Sequence, residues 1–323
     1  MSKLKLCLAC GYYDKLRPLI EGVISPDGID LNVITMPSPE RHGRMLRHEE
    51  FDVCELSLVA YVLAHDRNRA MTAIPVFPHR RFRHSYMVKR TDCGIKEPPD
   101  LNGKRVALDT LQNSAGLWMR GILQDHYGVD LKTIEWWCQE PENIPFEPAP
   151  WMRVKRIPTG RNVDQMLLDN ELEAALYPEV LPSVKNGSPK VDLPFANPKA
   201  AEIDYYKKSG IFPIMHTVVI KNEILEKAPW VAVTLHQAFQ KSKEVCYQRM
   251  CDPRSFALVW VKELMEEQAA ILGPDPWPYT IEDNRVALET VVRYEHEQGM
   301  IKKKPKIEDL FFPPSLQEIQ HYV

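Results

Sequence analysis

Arginine and histidine side chains are concentrated in one short stretch of the chain, residues 77–88. Three arginines and two histidines fall within six consecutive positions there. If the stretch runs into a strand, His79, Arg81 and Arg83 lie on one face, because strand side chains alternate between faces. A guanidinium is a planar fork that pairs bidentately with a carboxylate. Arg81 and Arg83 together therefore suit a small ligand with two neighbouring carboxylates, although a solvated, charged edge strand would have the same pattern.

Length and composition limit the class of protein. At 323 residues the chain exceeds what one hydrophobic core usually organises, so two domains are expected. Its 44% hydrophobic and 26% charged residues are typical of a globular protein in water. The net charge of −3 argues against a nucleic-acid partner, which requires a basic excess on one face.

The start of the chain and its cysteines predict a cytoplasmic protein. The segment from Met1 to Leu8 has neither a long apolar core nor a small-residue cleavage site, and no apolar run reaches membrane-spanning length. Seven cysteines scattered through apolar segments favour reduced thiols. Cys7 and Cys10 have the spacing of a redox pair, but they lie within a predicted strand rather than at the start of a helix.

Strands alternate with helices along the first two thirds of the chain, which indicates parallel βα units. A strand at 210–220 is expected to return to the first domain, and the pattern after it is helical. The predicted strands are 4–9, 29–35, 51–57, 71–77, 101–109 and 133–138, and the predicted helices include 39–47, 58–66, 115–127, 229–250, 253–272 and 281–298.

Polar side chains stand where two of these strands lead into helices. Glu55 and Ser57 end the third strand, at the edge of an α/β sheet where ligands usually bind. Asn113 or Ser114 is expected to cap the helix 115–127, whose free backbone amides form a site for an anion. A plain capped helix would have the same sequence, and Glu55 could equally be a charge at a helix start.

Three segments of the chain resemble 4,5-dihydroxyphthalate decarboxylase. They are Pro78 to Ser85 with its Phe-Arg-His-Ser core, Gly210 to Thr217, and Gly273 to Tyr279. The order of the elements is similar to the periplasmic-binding-protein type II fold. The resemblance implies two α/β lobes, each a mostly parallel sheet flanked by helices, with residues 1–90 and 210–323 in a discontinuous first lobe with helices at its end and 91–209 in the second lobe. One departure is Tyr12, since an acidic residue often precedes the Tyr-Asp pair of the family.

The activity implied by this resemblance belongs to phthalate degradation. One carboxylate of a dihydroxylated phthalate leaves as carbon dioxide after the ring carbon that carries it is protonated, giving 3,4-dihydroxybenzoate. Arg81 and Arg83 would hold the substrate, and His216 or His84 would donate the proton, because imidazole can carry one near neutral pH. Glu55 or Ser57 would receive the phenol. Further expected contacts are His79, Tyr13, Thr110, Asn113, Ser114, Tyr177 and Glu179.

Two alternatives remain open at this point. No organic cofactor is implied, but a divalent metal is possible because catechol oxygens chelate such ions, although no two histidines show the helical spacing of a recognised site. The second alternative is a solute-binding or sensor protein of the same fold that captures an aromatic carboxylate without chemistry. Trp260, Trp277 and the pair Phe311-Phe312 offer apolar surface for a homo-oligomer, or for burial within one subunit.

Overall fold

The computed structural model of the protein describes residues 3–313, apart from the side chain of Ser255. In this range the strands are β1 Leu4–Cys10, β2 Ile29–Thr35, β3 Val53–Ser57, β4 Met71–Ile74, β5 Met87–Arg90, β6 Arg105–Leu108, β7 Glu135–Cys138, β8 Arg153–Arg156, β9 Ala174–Leu176, β10 Val191–Asp192 and β11 His216–Lys221. The helices are α1 Arg17–Ile20, α2 Ser38–His48, α3 Leu58–Asp66, α4 Ser114–Tyr127, α5 Val163–Leu168, α6 Pro182–Lys185, α7 Pro198–Ser209, α8 Asn222–Lys227, α9 Trp230–Met250, α10 Val261–Leu272 and α11 Arg285–Glu297.

The chain divides into two compact units. Within the described residues, the first unit contains 3–80, Ile214–Leu288 and 305–313, and the second contains Arg81–Pro213 and Glu289–Lys304. The first boundary therefore lies ten residues before the expected one at residue 90, because β5 pairs with strands of the second sheet. A second difference is that most of α11 belongs to the second unit instead of the first.

The first unit is built on a five-stranded sheet in the order β2-β1-β3-β11-β4. β1 is parallel to β2 and β3, whereas β11 is antiparallel to both of its neighbours. β3 is buried along its whole length and β11 along all but its last residue, which is typical of central strands covered on both faces. The returning strand therefore lies at the centre of this sheet, and its first residue, His216, pairs with Ser57 at the end of β3.

The second unit is built on a six-stranded sheet in the order β10-β5-β9-β6-β7-β8. β6 is parallel to β7 and β9, and β5 is antiparallel to β9. α4 follows β6 and is capped at its carboxyl end by Gly128, whose φ of 67° is a left-handed conformation that glycine adopts without steric cost. Both units are mostly parallel α/β sheets flanked by helices, so the expected fold class is confirmed.

Several strands are shorter than predicted, such as β4, β6 and β11, and two predicted elements differ from the structure in more than their bounds. The arginine stretch does not form a strand: only Arg80 makes an isolated bridge, to Ile214, and a 3₁₀ turn at His84–Tyr86 precedes β5. The helix expected at 253–272 is interrupted, because a 3₁₀ turn at Pro253–Ser255 and a non-helical segment precede α10. Trp260, just before α10, is 70% exposed.

Other sequence expectations concern the surface and the thiols. Phe311 is buried and Trp277 is half-buried within the first unit, so these aromatic side chains do not form an exposed apolar surface. All seven cysteines are free thiols, and burial raises the pKa of Cys10 to about 12, which is contrary to a reactive redox pair. Among residues 3–313, no helix has the length and apolar character needed to cross a membrane.

Candidate active site

A completely buried carboxylate, Glu55, is the centre of the polar cluster in the first unit. Its Oε2 atom accepts a hydrogen bond from the backbone N–H of Gly11 at 2.7 Å and lies 3.1 Å from Nη2 of Arg41. Its Oε1 atom accepts a hydrogen bond from the hydroxyl of Tyr13 at 3.0 Å and contacts Nδ1 of His216. A carboxylate has about four acceptor positions, and all of them are used here. Glu55 therefore has no position left with which to receive a substrate phenol, contrary to the sequence prediction.

The contact with Glu55 fixes the orientation and the tautomer of His216. Because the ionised carboxylate can only accept, Nδ1 of His216 carries the proton in this contact. Proton transfer to another molecule then falls to Nε2. The backbone of His216 is also held, since its N–H donates to the carbonyl of His79 at 3.2 Å. A histidine with a carboxylate behind one ring nitrogen is the usual arrangement of a general acid or base.

Two further imidazoles and one phenol ring surround His216. The ring centroid of His79 lies 4.6 Å from that of His216, and the ring centroid of His42 lies 4.8 Å from it, both in edge-to-face geometry. Tyr13 stacks on His79 at 5.6 Å. The close approach of Tyr13 depends on Gly11, because a Cβ atom at Gly11 would lie 2.5 Å from the Tyr13 ring. His79 thus contacts His216, and Tyr13 contacts His79. The predicted contacts of both residues with a substrate stay predictions.

Burial sets the charge of the groups around His216. It lowers the pKa of His42 well below its usual value, and the neighbouring imidazole of His216 and guanidinium of Arg41 act in the same direction. Burial also raises the pKa of the Tyr13 hydroxyl, and the charge of Glu55 adds to this effect. His42 is consequently a neutral imidazole, and Tyr13 is a neutral phenol that donates to the carboxylate.

Arg80 connects the three segments that resemble the decarboxylase family. Its guanidinium donates at 3.2 Å to the carbonyl of Pro278, within the segment Gly273 to Tyr279, and contacts the side-chain oxygen of Asn284, five residues after that segment. Its backbone pairs with Ile214. The preceding carbonyl, that of His79, accepts the N–H groups of Met215 and His216. Arg80 is therefore a structural link that holds the backbone next to His216.

Ser57 has a structural role at the same end of the sheet. Its hydroxyl caps α3 by accepting the N–H of Ala60 at 3.3 Å, and the side chain is buried. Ser57 also pairs with His216 across the two strands, and its contact with a substrate phenol stays a prediction.

The two arginines expected to grip the ligand lie in the second unit, in different environments. Arg81 is exposed, whereas Arg83 is 3% exposed and donates from Nη1 to the carbonyl of Pro178 at 2.8 Å. Their guanidinium carbons lie 5.4 and 5.0 Å from the ring centroid of Tyr86, so both flank one aromatic ring. Burial lowers the pKa of Arg83 to about 9, and the positive charge of Arg81 lowers it further. The prediction of two equivalent guanidiniums on one strand face is wrong, because no strand forms there. Of the two side chains, only that of Arg81 is exposed, and their contacts with a ligand stay a prediction.

His84 is completely buried among aromatic rings of the second unit. The ring centroids of Phe195, Tyr205 and Tyr127 lie 5.0, 5.6 and 5.8 Å from its own. Burial lowers the pKa of His84 to about 4, and His126 acts in the same direction. Among the residues that the structure describes, neither ring nitrogen of His84 has a hydrogen-bond partner. This environment does not favour His84 as a proton donor.

The remaining predicted contacts lie around the ends of β6 and β9 in the second unit. Asn113 caps α4 by accepting the N–H of Gly116 at 2.5 Å, and its amide donates to the carbonyl of Thr110 at 3.0 Å. Ser114 is buried in the first turn of α4. Tyr177 is half-buried and Glu179 exposed, both directly after β9. The capping prediction is confirmed; ligand contacts at these positions stay a prediction.

Sequence reasoning missed three charged or titratable residues. Arg41 and His42 lie on α2, four positions before the buried residues Met45 and Leu46, and this spacing could have placed both side chains on the buried helix face. Asp109, directly after β6, has its pKa raised to about 6 by burial and by the charges of Glu140 and other carboxylates. No local pattern distinguishes Asp109 from an ordinary residue at a strand end.

No metal-binding arrangement is visible between residues 3 and 313. In this part of the chain, no group of three or more His, Cys, Asp or Glu side chains is placed to hold a metal ion.

Comparison with solved structures identifies the fold. The aliphatic sulphonate-binding protein SsuA of Escherichia coli superposes with a TM-score of 0.56 at 12% identity, covering 97% of this chain and 98% of SsuA. A putative sulfonate-binding protein of Methylobacillus flagellatus gives 0.56 at 12% identity, with 99% and 96% coverage. Residues 12–143 match a family described as the periplasmic substrate-binding protein of a phosphonate ABC transporter. These similarities concern the fold alone.

Comparison of sequences gives a closer relationship. The 4,5-dihydroxyphthalate decarboxylase of Pseudomonas putida is 33% identical over 214 residues, which is 64% of this chain and 83% of that protein. The enzyme of the same name from Comamonas testosteroni is 32% identical over 329 residues, covering 99% of this chain and all of that protein. With this identity over its full length, the chain belongs to the 4,5-dihydroxyphthalate decarboxylase family.

Proposed function

We propose that the protein is a carboxy-lyase that converts 4,5-dihydroxyphthalate to 3,4-dihydroxybenzoate and carbon dioxide. The observation that carries the proposal is the contact between Glu55 and Nδ1 of His216, in a chain that aligns end to end with a decarboxylase of this name. The contact supplies an oriented imidazole, which is the group that a ring protonation requires.

The reaction needs one proton for each turnover. In the proposed step, Nε2 of His216 gives its proton to the ring carbon that carries the leaving carboxylate, and electron density from the para hydroxyl supports the cationic ring. The bond between the ring and the carboxylate then breaks, its electron pair restores the aromatic ring, and carbon dioxide departs. The dianion of the substrate plus one proton gives the monoanion of the product plus carbon dioxide, and His216 regains its proton from water.

Substrate recognition is assigned to positive charge on the second unit. Arg81 is the exposed guanidinium of the arginine stretch and can pair with a carboxylate through its planar fork. Arg83 supports the same region through the carbonyl of Pro178. We assign the binding of a substrate carboxylate to Arg81, and no organic cofactor is required by the proposed chemistry.

The test is turnover of the purified protein in deuterated water. We expect release of carbon dioxide and formation of 3,4-dihydroxybenzoate with one deuterium at the carbon that lost the carboxylate. Phthalate, which lacks both hydroxyls, is the matched control and should not react, because it has no electron-donating group para to the carboxylate. Parallel reactions with a chelator and with added divalent metal ions examine the requirement for a metal.

The outcome also distinguishes catalysis from simple binding. Calorimetry that shows tight binding of 4,5-dihydroxyphthalate, with the ligand recovered unchanged under all metal conditions, would contradict the proposal and indicate a solute-binding protein. Loss of activity with the chelator and its recovery with one metal ion would contradict the cofactor-free form of the mechanism alone.

We further propose a cytoplasmic location. The support is that all seven cysteines are unpaired, as expected in a reducing compartment. Cell fractionation with an antibody against the protein tests this directly, and recovery in an exported fraction would contradict it.

A further inference from the structure

A buried guanidinium contacts the carboxylate of the Glu55–His216 pair through the oxygen that does not contact the imidazole. Arg41 is 0% exposed and lies on α2, whereas Glu55 lies on β3. The Nη2 atom of Arg41 is 3.1 Å from Oε2 of Glu55, and the Nε atom of Arg41 donates to the backbone carbonyl of Glu55 at 2.9 Å. Its Nη1 atom donates to the carbonyl of Met36 at 2.6 Å. Arg41 thus holds both the side chain and the backbone of Glu55.

The two carboxylate oxygens of Glu55 contact different groups. Oε1 contacts Nδ1 of His216 and the Tyr13 hydroxyl, whereas Oε2 contacts Arg41 and the Gly11 amide. Arg41 therefore does not compete with His216 for the same oxygen. It fixes the plane of the carboxylate from one side while the imidazole uses the other.

We infer that Arg41 is a positioning residue of the decarboxylase, one that acts through Glu55 on the orientation and proton affinity of His216. The inference rests on the proposed function for its catalytic consequence, but its physical content concerns the resting protein. Removing Arg41 would leave Glu55 as an uncompensated negative charge, which binds the imidazolium form of His216 more strongly. Removing only the negative charge would have the opposite effect.

The titratable and charged groups around the Glu55–His216 pair enter this balance. They include His42 from α2 and His79 from the segment before Arg80, which contact His216, and Arg41 from α2 and Tyr13 from the loop after β1, which contact Glu55. Burial lowers the pKa of His42 and raises that of Tyr13, so both are neutral near pH 7. The positive charge of Arg41 and the negative charge of Glu55 are therefore the two charges that the variants below remove.

The experiment is an NMR titration of His216 in full-length protein labelled at histidine. The signal is assigned by its loss in His216→Gln, and its titration midpoint is compared among four proteins: wild type, Glu55→Gln, Arg41→Met, and the double variant Arg41→Met/Glu55→Gln. We expect the midpoint to fall in Glu55→Gln, to rise in Arg41→Met, and to be about one pH unit higher in the double variant than in Glu55→Gln.

Two further variants separate charge from packing. Arg41→Lys keeps the positive charge but lacks the planar guanidinium, and the titration midpoint of His216 in this variant should lie near that of wild type. Arg105→Met removes the arginine of another pair, Arg105 with Glu173 in the second unit, and should leave the midpoint unchanged. In Arg41→Met, the pH range of maximal turnover should extend upward by as much as the titration midpoint of His216 rises, because His216 acts as an acid.

The inference is overturned if the double variant and Glu55→Gln have the same midpoint, because Arg41 would then contribute no charge to the balance. This comparison does not require Arg41→Met to fold. It is also independent of the proposed function, since the titration can be measured on a protein that turns over no substrate. Failure of wild-type turnover with the expected midpoints would contradict the proposed function and leave the role of Arg41 intact.

Discussion

The two histidines that the sequence predicts as proton donors lie in opposite kinds of environment. His216 and His84 are both buried, at 7% and 0% exposure. Nδ1 of His216 contacts a carboxylate that Arg41 and Tyr13 also hold. His84 instead lies among aromatic rings, and burial lowers its pKa to about 4.

The difference shows that burial alone does not make a functional histidine. A buried imidazole without a charged partner stays neutral and contributes packing, whereas one with a fixed carboxylate keeps a defined tautomer and can exchange a proton. The partner on β3, and not the sequence motif around the histidine, therefore decides which of the two can act as an acid.

Replacing His216, the histidine that contacts a carboxylate, should have the largest effect on turnover. For His216→Ala we expect kcat to fall by about 10²–10⁴-fold, because the general acid is removed, with a much smaller change in KM. Product formation at saturating substrate measures this effect, and circular dichroism checks the fold. A loss of less than about tenfold would mean that another group supplies most of the proton transfer.

Removing the charge of Glu55 should be the next largest effect, and it concerns stability as well as turnover. Glu55→Gln leaves the guanidinium of Arg41 buried without its counter-ion, which costs about 3–5 kcal/mol of unfolding free energy. Urea unfolding measures this cost. Glu50→Gln, which breaks an exposed pair with Arg44, is the matched control and should leave the urea midpoint unchanged. Equal midpoints for the two variants would contradict the importance of the buried pair.

Replacing the histidine in the aromatic environment should change the acid stability instead of the activity. The unfolded chain binds a proton at His84 near pH 6.5, whereas the folded protein binds it only near pH 4. Between these values the unfolded state holds more protons, so stability is lost as the pH falls from 6.5 to 4. His84→Phe removes this loss, which amounts to about 3 kcal/mol, and should leave kcat within about twofold of wild type.

Thermal unfolding at several pH values between 4 and 7 measures this prediction. His296→Gln, which changes an exposed histidine of the same unit, should retain the wild-type pH dependence. A large decrease of kcat in His84→Phe would reverse the comparison and restore His84 as a candidate acid.

The smallest expected effect concerns the exposed guanidinium three residues before His84. Arg81→Ala should raise KM about tenfold and leave kcat nearly unchanged, because one charge-assisted pair with a substrate carboxylate is lost. Arg153→Ala, another exposed arginine of the second unit, is the control for net charge. An unchanged KM in Arg81→Ala would remove the second unit's arginine stretch from substrate recognition.

The regular elements could be predicted from sequence because their signals are local. The strand β2 and the helix α3 have the predicted bounds, since alternation of apolar residues and an apolar helical run are each read within one segment. The 3₁₀ turn at His84–Tyr86 could not be predicted in this way. It depends on carbonyl and carboxylate partners such as Pro178 and Glu202, which lie about a hundred residues away in the chain.

Only part of the candidate site can be predicted from the sequence, because its contacts join residues that are distant in the chain. The sequence identifies Glu55, His216, His79 and Tyr13 one by one, but the pairing of Glu55 with His216 joins residues 161 positions apart. Arg41 and His42 were missed because charged side chains on a helix are usually assigned to its solvent face. Their position four residues before Met45 and Leu46 was the one local signal of burial.

Arg80 links the three family-like segments, so their spacing depends on the contacts of one residue. One side chain reaches the segment around Pro278 while its own backbone pairs with Ile214 and its neighbour's carbonyl receives His216. An inserted or deleted residue in any of these segments would displace the imidazole, whereas many exchanges of side chain would not. For redesign of this enzyme, the spacing of the three segments is therefore a stricter constraint than their composition.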